Sequence, residues 1–139
     1  MVESKTTEPV QVGITMKIAI DLDNTITASP AGVEFFRILT KALIGDNDIF
    51  IITNRDPEKM EETEEELAVL GIRFNKLVIT ENKSQYIQKS GIDVFFENAD
   101  EYFLDLPEKV TVFKIREAGN FSFPEKRWVG SSKTTKMID

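Results

Sequence analysis

Short runs of apolar residues recur along the chain and alternate with segments whose apolar residues have helical spacing. The run at 49–52 shows no polar alternation, which is typical of strands buried on both faces of a parallel sheet. The alternation predicts an α/β fold, a three-layer Rossmann-like arrangement around a parallel sheet. Strands are predicted over residues 18–22, 49–52, 77–79, 92–96 and 110–115, and helices over 30–44, 57–70, 83–89 and 100–106.

The predicted helices carry start and stop signals. Ser29-Pro30 and Asp56-Pro57 each pair a capping residue with a proline at the first helical position. Gly45, Gly71 and Gly91 follow the ends of three helices. The first helix has an apolar stripe that is expected to pack into the core, formed by Val33, Phe36, Leu39 and Leu43 and widened by Phe35 and Ile38.

The two ends of the chain are polar and show no periodicity. We therefore expect residues 1–15 to be a disordered leader or extension, residues 16–130 to form one folded domain, and residues 131–139 to be a polar tail. A late aromatic group has two interpretations: it stacks on a base, or, as we favour, it covers a sheet edge or the core. This group consists of Phe121, Phe123 and Trp128.

Composition restricts the chemistry. The chain has no cysteine and no histidine, so acid–base work falls to Asp, Glu, Lys or Tyr. A net charge of −7 argues against non-specific binding to nucleic acid. No stretch approaches the length of an apolar membrane span, and no signal peptide is recognisable, so a cytoplasmic protein is the default expectation.

Two carboxylates follow the first predicted strand. Asp21 and Asp23 lie two positions apart where the chain is expected to turn, so both can face the crevice at the strand's carboxyl end. Crowded carboxylates repel each other unless a cation or a shared proton intervenes. Mg²⁺, which prefers hard oxygen ligands, is the most natural cation for this place.

Polar residues also follow the second, third and fourth predicted strands. They lie in the segment 53–55, at position 83 and in the segment 97–100. Thr53 and Asn54 can simply satisfy a turn, and Lys83 can be an ordinary surface lysine. Glu97 and Asp100 can cap the next helix. Arg55 can clamp a second phosphate or a carboxylate of a substrate, or pair with the acidic helix that follows it. The order and spacing of these residues favour a functional site.

The segment Asp21-Leu22-Asp23-Asn24-Thr25-Ile26-Thr27 resembles the first motif of the haloacid dehalogenase superfamily of phosphohydrolases. With the later polar segments, the resemblance extends over residues 16–115. It implies that Asp21 is the nucleophile that forms an aspartyl-phosphate. It implies that Asp23 is first the general acid for the leaving group and then the base that activates water.

The resemblance also implies a phosphate site and a metal site. Thr53 and the backbone amide of Asn54 would bind the phosphoryl oxygens, and Lys83 would neutralise their charge. Asn24 and Arg55 complete the expected substrate-binding residues. Mg²⁺ would lie between Asp21, the Asp23 carbonyl group and the fourth motif.

The fourth motif departs from the pattern of the superfamily. An Asp-Asp or Glu-Asp pair is frequent there, whereas this chain has Glu97-Asn98. An asparagine oxygen binds Mg²⁺ more weakly than a carboxylate, or else Glu97 or Asp100 supplies the charge. From the sequence, Asn98→Asp is expected to tighten Mg²⁺ binding.

The intervals after Asp23 and after the second predicted helix are too short for a large cap domain. The resemblance is therefore to capless, nucleotidase-like members, whose open site would admit a bulky substrate or use the partner subunit of a homo-oligomer as a lid. It implies a Mg²⁺-dependent phosphomonoester hydrolase acting on a nucleotide or another small phosphorylated metabolite. Two alternatives stay open: a weak or inactive relative that binds a phosphorylated ligand or partner, and a receiver-like phosphoacceptor. In a receiver, the phosphorylated aspartate would be expected on a middle strand, whereas the middle strands predicted here end in Thr53 and after Ile79.

Overall fold

The computed structural model describes residues 1–4 and 15–130. Six strands form the main sheet, and a two-stranded hairpin follows it. The strands are β1 (Val2–Glu3), β2 (Lys17–Ile20), β3 (Asp48–Thr53), β4 (Lys76–Ile79), β5 (Val94–Glu97), β6 (Thr111–Lys114), β7 (Phe121–Ser122) and β8 (Arg127–Trp128). The α-helices are α1 (Pro30–Leu43), α2 (Met60–Leu70) and α3 (Lys83–Ser90).

The sheet has the order β1-β4-β3-β2-β5-β6, and all its pairings are parallel except that of β1 with β4. β2, the first parallel strand in the sequence, therefore lies in the middle. From β2 the chain builds outward through β3 and β4, and then crosses to the other side of β2 to form β5 and β6. The strand order thus reverses between β2 and β5, which is where open α/β sheets form a crevice at their carboxyl edge.

Two apolar clusters cover the two faces of the sheet. Alternate residues of each strand enter different clusters, because successive side chains of a strand point to opposite faces. Phe36 of α1 and Leu67 of α2 pack in one cluster, and Tyr86 and Ile87 of α3 pack in the other. Helices on both faces of a mostly parallel sheet confirm the predicted α/β class and are compatible with a Rossmann-like fold.

The predicted helix ends are largely confirmed. The hydroxyl oxygen of Ser29 accepts a hydrogen bond from the amide of Gly32, and Asp56 accepts one from the amide of Glu58. Gly71 ends α2 with a φ of 76°, in the left-handed region that a side chain would strain. The second helix begins as the 3-10 helix Pro57–Lys59 and becomes α-helical at Met60.

Two predictions are wrong in detail. Phe35 and Ile38 do not widen the buried face of α1, because they are 53% and 58% exposed. The helix predicted over residues 100–106 is only the 3-10 helix Asp100–Tyr102, followed by turns. The seven residues from Asp100 to Leu106, which precede Pro107, allow few i→i+4 backbone hydrogen bonds to offset the cost of starting an α-helix.

The first residues of the chain differ from the prediction, because they form a strand. Val2–Glu3 is an edge strand, in which Val2 lies opposite Ile79, and the amide of Ser4 donates to the carbonyl of Leu77. The predicted disordered leader is therefore wrong for these residues. The rest of that prediction falls largely on residues 5–14, and the polar tail falls on residues 131–139, all of which lie outside the described residues.

The hairpin of β7 and β8 lies against the edge strand β6. The ammonium of Lys114 is 4.1 Å from the centre of the Trp128 ring, and Trp128 packs edge-on against Phe121 at 5.2 Å. These contacts agree with the edge-covering interpretation of the aromatic group. Across residues 1–4 and 15–130, no helix has the length and apolar character needed to cross a membrane.

The exposure difference along α1 predicts a difference in stability. Phe36→Ala removes a ring that is 2% exposed and is expected to lower the free energy of unfolding by about 3–5 kcal/mol. The matched control Ile38→Ala, on the exposed side of the same helix, should change it by about 0.5 kcal/mol or less. Urea denaturation measures both, and equal losses would contradict the observed packing of α1.

Candidate functional site

Polar side chains converge at the carboxyl edge of the sheet, around the switch between β2 and β5. Asp21 follows β2 directly, and its amide donates a hydrogen bond to the carbonyl of Phe96 in β5. Thr53 ends β3, and Glu97 ends β5. Together with residues after β4, they surround a cleft of about 180 Å³, which is lined by Asp21, Asp23, Thr53, Asn54, Lys83, Glu97, Asn98, Ala99 and Tyr102.

Lys83 is the cation at the centre of this cleft. It is the first residue of α3, where the Asn82 side chain caps the helix, and its own side chain is only 3% exposed. Its ammonium nitrogen lies 2.7 Å from Asp21 Oδ1 and 2.9 Å from Glu97 Oε1. The Tyr102 ring centre lies 4.3 Å from the same nitrogen. One buried ammonium therefore joins two carboxylates from neighbouring strands.

Burial and charge act against each other in this triad. Burial raises the pKa of Asp21, although Lys83 and Thr25 act in the opposite direction. Burial also raises the pKa of Glu97, to about 7, because Lys83 offsets only part of the desolvation. For Lys83, burial lowers the pKa, but the two carboxylates outweigh this and the net change is upward. The lysine stays charged, while two carboxylates compete for one positive charge.

Thr25 and Asn98 occupy the other side of Asp21. The Thr25 hydroxyl oxygen lies 2.9 Å from Asp21 Oδ2 and 3.3 Å from Asn98 Oδ1. Two hard oxygens from different strands therefore flank a single hydroxyl group. Thr25 belongs to the quoted motif, but its contact with the later motif is visible only in the fold.

Glu97 and Asp100 are engaged elsewhere. Glu97 Oε2 accepts hydrogen bonds from the amides of Asn98 and Ala99, so both of its oxygens have partners. Asp100 Oδ1 lies 2.8 Å from the Lys114 ammonium, and Asp100 is not among the residues that line the cleft. Of the three candidates in the fourth motif, Asn98 is thus the one whose side-chain oxygen contacts the Thr25 hydroxyl that also binds Asp21.

Asp23 has a different partner, Arg55. The guanidinium binds it in a bidentate manner, with Nε 2.9 Å from Oδ2 and Nη2 2.7 Å from Oδ1. Hydrogen bonds from Arg55 hold the pKa of Asp23 below its usual range, against a smaller effect of burial. Arg55 Nη1 also lies 2.8 Å from Glu66 Oε1, so the predicted pairing with the acidic helix is present as well. Arg55 is not among the residues that line the cleft.

Of the remaining predicted residues, Thr53 and Asn54 line the cleft and Asn24 does not. Asn54 Nδ2 donates to the hydroxyl oxygen of Tyr102, so the ends of β3 and β5 are connected across the cleft. The Thr53 hydroxyl is 3.4 Å from Asp23 Oδ2. Asn24 is exposed, has a φ of 61° and does not line the cleft; its amide donates to the Thr27 hydroxyl.

The oxygen atoms around Asp21 fit a magnesium ion better than a metal that needs several charged ligands. No group of three or more Asp, Glu, His or Cys side chains suited to a metal ion occurs among residues 1–4 and 15–130. Mg²⁺ does not require such a group, since it commonly takes one or two carboxylates and keeps several waters. The carboxylate of Asp21 and the amide oxygen of Asn98, both within 3.3 Å of the Thr25 hydroxyl, fit that requirement.

Sequence reasoning missed several residues that complete the site. Tyr102 faces the Lys83 ammonium, while Glu117 and Asn120 lie beyond β6 and bind Asn98. The turn signal at Gly119-Asn120 was the only trace of the last pair, because irregular segments carry no periodicity. Searches of protein-family models, curated proteins and solved structures find no match to this chain.

Removing the buried cation should destabilise the fold in a pH-dependent way. Lys83→Met leaves two buried carboxylates without their counter-ion, and we expect a loss of about 3–5 kcal/mol in the free energy of unfolding near neutral pH. The loss should shrink in acid, because the pKa values of Asp21 and Glu97 are raised in the fold and protonation of these two groups removes the buried negative charge that lacks a partner in the variant. Chemical denaturation across the pH range measures this loss.

Lys89→Met is the matched control for this variant, because Lys89 is exposed on the same helix. Its effect should be small and independent of pH. Carbon-detected NMR titration should also show that the pKa values of Asp21 and Glu97 rise in Lys83→Met only. Identical pH profiles for the two variants would contradict the buried triad.

Proposed function

We propose that the protein is a Mg²⁺-dependent phosphomonoester hydrolase that acts through an aspartyl-phosphate on Asp21. The observation that carries this proposal is the Asp21 carboxylate beside an open cleft, with Lys83 at 2.7 Å on one oxygen and Thr25 at 2.9 Å on the other. A carboxylate that attacks a phosphate dianion needs neighbouring positive charge and fixed donors, and this arrangement offers both.

The proposed reaction has two steps. An oxygen of Asp21 attacks phosphorus, the bond from phosphorus to the ester oxygen breaks, and Asp23 gives its proton to the departing oxygen. Water then attacks the aspartyl-phosphate and gives a proton to Asp23, which releases inorganic phosphate and regenerates Asp21. Lys83 stays protonated throughout and balances the charge on the transferred group.

The contact between Arg55 and Asp23 bears on the first step. The lowered pKa keeps Asp23 ionised in the resting protein, which suits a base but not an acid. An incoming phosphate dianion would compete for the guanidinium of Arg55 and would raise the pKa of Asp23 by its own charge. In this proposal, substrate binding therefore prepares Asp23 to act as the acid.

Mg²⁺ would be held by the Asp21 carboxylate, the Asp23 carbonyl group and the Asn98 side-chain oxygen. When bound, it would offset charge on the phosphoryl group. A larger cavity of about 480 Å³ adjoins the cleft and shares Asn54 with it; Arg55, Thr80 and Asn82 also line this cavity. Met1, Pro57 and Ile79 line it too, and such a mixed polar and apolar lining suits the nucleoside part of a nucleotide or the body of another small phosphorylated metabolite.

Two other functions are weaker candidates. The neutral Asn98 in place of a carboxylate favours a protein that binds phosphorylated ligands without turnover, but the complete set of Asp21, Asp23 and Lys83 argues against it. A receiver-like phosphoacceptor would be expected to have its first strand beside the third, as in flavodoxin-like sheets. Asp21 does follow a middle strand of the sheet, so its position is compatible with a receiver. The strand order argues against that class, because the first parallel strand, β2, lies between β3 and β5 and not beside the third, β4.

Substitution of the nucleophile tests the proposal. Asp21→Asn should abolish hydrolysis of p-nitrophenyl phosphate in Mg²⁺, because an amide cannot form the acyl phosphate. The control Asp46→Asn should keep the activity of the unaltered protein, because Asp46 is exposed in the turn between α1 and β3 and does not line the cleft. If the unaltered protein instead forms a stable phosphoprotein without turnover, the result would support a phosphoacceptor. If it shows neither hydrolysis nor a phosphoprotein, the result would support a binding protein.

Substitution of Asp23 separates the two steps. Asp23→Asn should lower the steady-state rate by about 100-fold or more, since it removes the general acid and base. With p-nitrophenyl phosphate, whose leaving group departs without a proton, we expect a burst of nitrophenolate close to one equivalent before the slow phase. Stopped-flow absorbance measures this burst, and an unchanged steady-state rate would exclude Asp23 from the mechanism.

A further inference from the structure

The orientation of the Asn98 side chain is set by a carboxylate from outside the predicted motifs. Asn98 Nδ2 donates a hydrogen bond of 2.9 Å to Glu117 Oε2. A carboxylate can only accept hydrogen bonds, so it must face the amide nitrogen. The amide oxygen is therefore directed to the opposite side, where it lies 3.3 Å from the Thr25 hydroxyl and beside Asp21.

Glu117 is itself held in place by the segment that follows β6. The amide of Gly119 donates to Glu117 Oε1, and the backbone amide of Glu117 donates to Asn120 Oδ1 at 2.9 Å. Asn120 is fully buried, and its side-chain amide donates to the carbonyls of Asn98 and Ile115, each at 2.8 Å. The loop thus binds both the backbone and the side chain of Asn98.

We propose that Glu117 is a positioning residue that directs the Asn98 oxygen toward the Mg²⁺ site, so that position 98 is adapted to a neutral ligand. This inference rests on the proposed function, because it assumes that Mg²⁺ binds beside Asp21. It assigns to Glu117 the negative charge that the fourth motif lacks at position 98. The Glu117 carboxylate would act through its hydrogen bond to Asn98, which in turn would bind the metal.

The contact reverses the expectation drawn from the sequence for Asn98→Asp. The new carboxylate would meet Glu117 where the native amide nitrogen lies 2.9 Å away, and two carboxylates at that distance repel each other. The single variant should therefore bind Mg²⁺ more weakly, by about tenfold, as is typical when a partner of a metal ligand is lost. Glu117→Gln should also weaken binding, because an amide partner no longer selects one orientation of Asn98.

The double variant Asn98→Asp/Glu117→Gln provides the decisive comparison. It keeps the net charge and the hydrogen bond of the native pair but moves the carboxylate next to the metal. Mg²⁺ should therefore bind to it more tightly than to the unaltered protein, although each single variant binds more weakly. A merely structural role for Glu117 predicts no such change of sign.

Isothermal titration calorimetry with MgCl₂ on the full chain measures these affinities without reference to turnover. Glu108→Gln, which removes an exposed carboxylate elsewhere, should leave the affinity unchanged. Glu117→Asp keeps the charge but shortens the side chain, and should weaken binding even if Asn98→Asp fails to fold. Thermal denaturation identifies any variant that is unfolded.

Three results would overturn the inference. Asn98→Asp alone could bind Mg²⁺ as tightly as the double variant, or Glu117→Gln and Glu117→Asp could both bind like the unaltered protein. In either case, Mg²⁺ binding and hydrolysis by the unaltered protein would leave the proposed function intact. If the unaltered protein binds no Mg²⁺, the proposed function and this inference fail together.

Discussion

The polar edge of this protein depends on one buried ammonium group. Lys83, Asp21 and Glu97 are each almost inaccessible to solvent, and burial of charges at this level is costly unless they are paired closely. Lys83 begins the helix that follows β4, yet it binds residues at the ends of β2 and β5. The Lys83 side chain therefore connects α3, the crossover from β4 to β5, with the ends of β2 and β5, between which the strand order reverses. The same pairing that makes this edge stable places a carboxylate and a cation beside an open cleft.

The two aspartates of the first motif have opposite electrostatic environments although only one residue separates them. Burial raises the pKa of Asp21, and Arg55 lowers that of Asp23. Pairs of titratable groups whose pKa values are pushed apart are typical of acid–base sites. In the protein without substrate, however, each of the two pKa values is shifted in the direction opposite to the one that its proposed role requires. A nucleophile must be ionised and a general acid must be protonated, so the proposed reaction needs both pKa values to move. A cation beside Asp21 and an anion beside Asp23 would produce those two changes, and these are the charges that a metal and a phosphate bring.

The sequence predicted those parts of the structure that leave a local pattern. Apolar runs located the strands of the parallel sheet, and capping residues with prolines located the starts of α1 and the second helix. Spacing from those strands indicated Asp21 and Lys83, which the fold brings to 2.7 Å. Periodicity did not show how wide the buried face of α1 is, because that depends on how much of the helix the sheet covers; Phe35 was therefore misplaced. The contacts of Glu117 with Asn98 were not predictable, since they join two irregular segments whose proximity arises only from the pairing of β5 with β6.

The fourth motif shows why neighbouring polar residues need not share a role. Glu97 turns toward Lys83 and accepts the two amides that follow it, so its charge is used inside the protein. Asn98 presents its oxygen to the other side of Asp21, and Glu117 fixes that orientation. An acid at position 98 would add a third carboxylate to a site in which Asp21 and Glu97 already share one ammonium. The amide avoids that repulsion, and the carboxylate of Glu117 lies one step farther out, where it orders the Asn98 side chain without competing for Lys83.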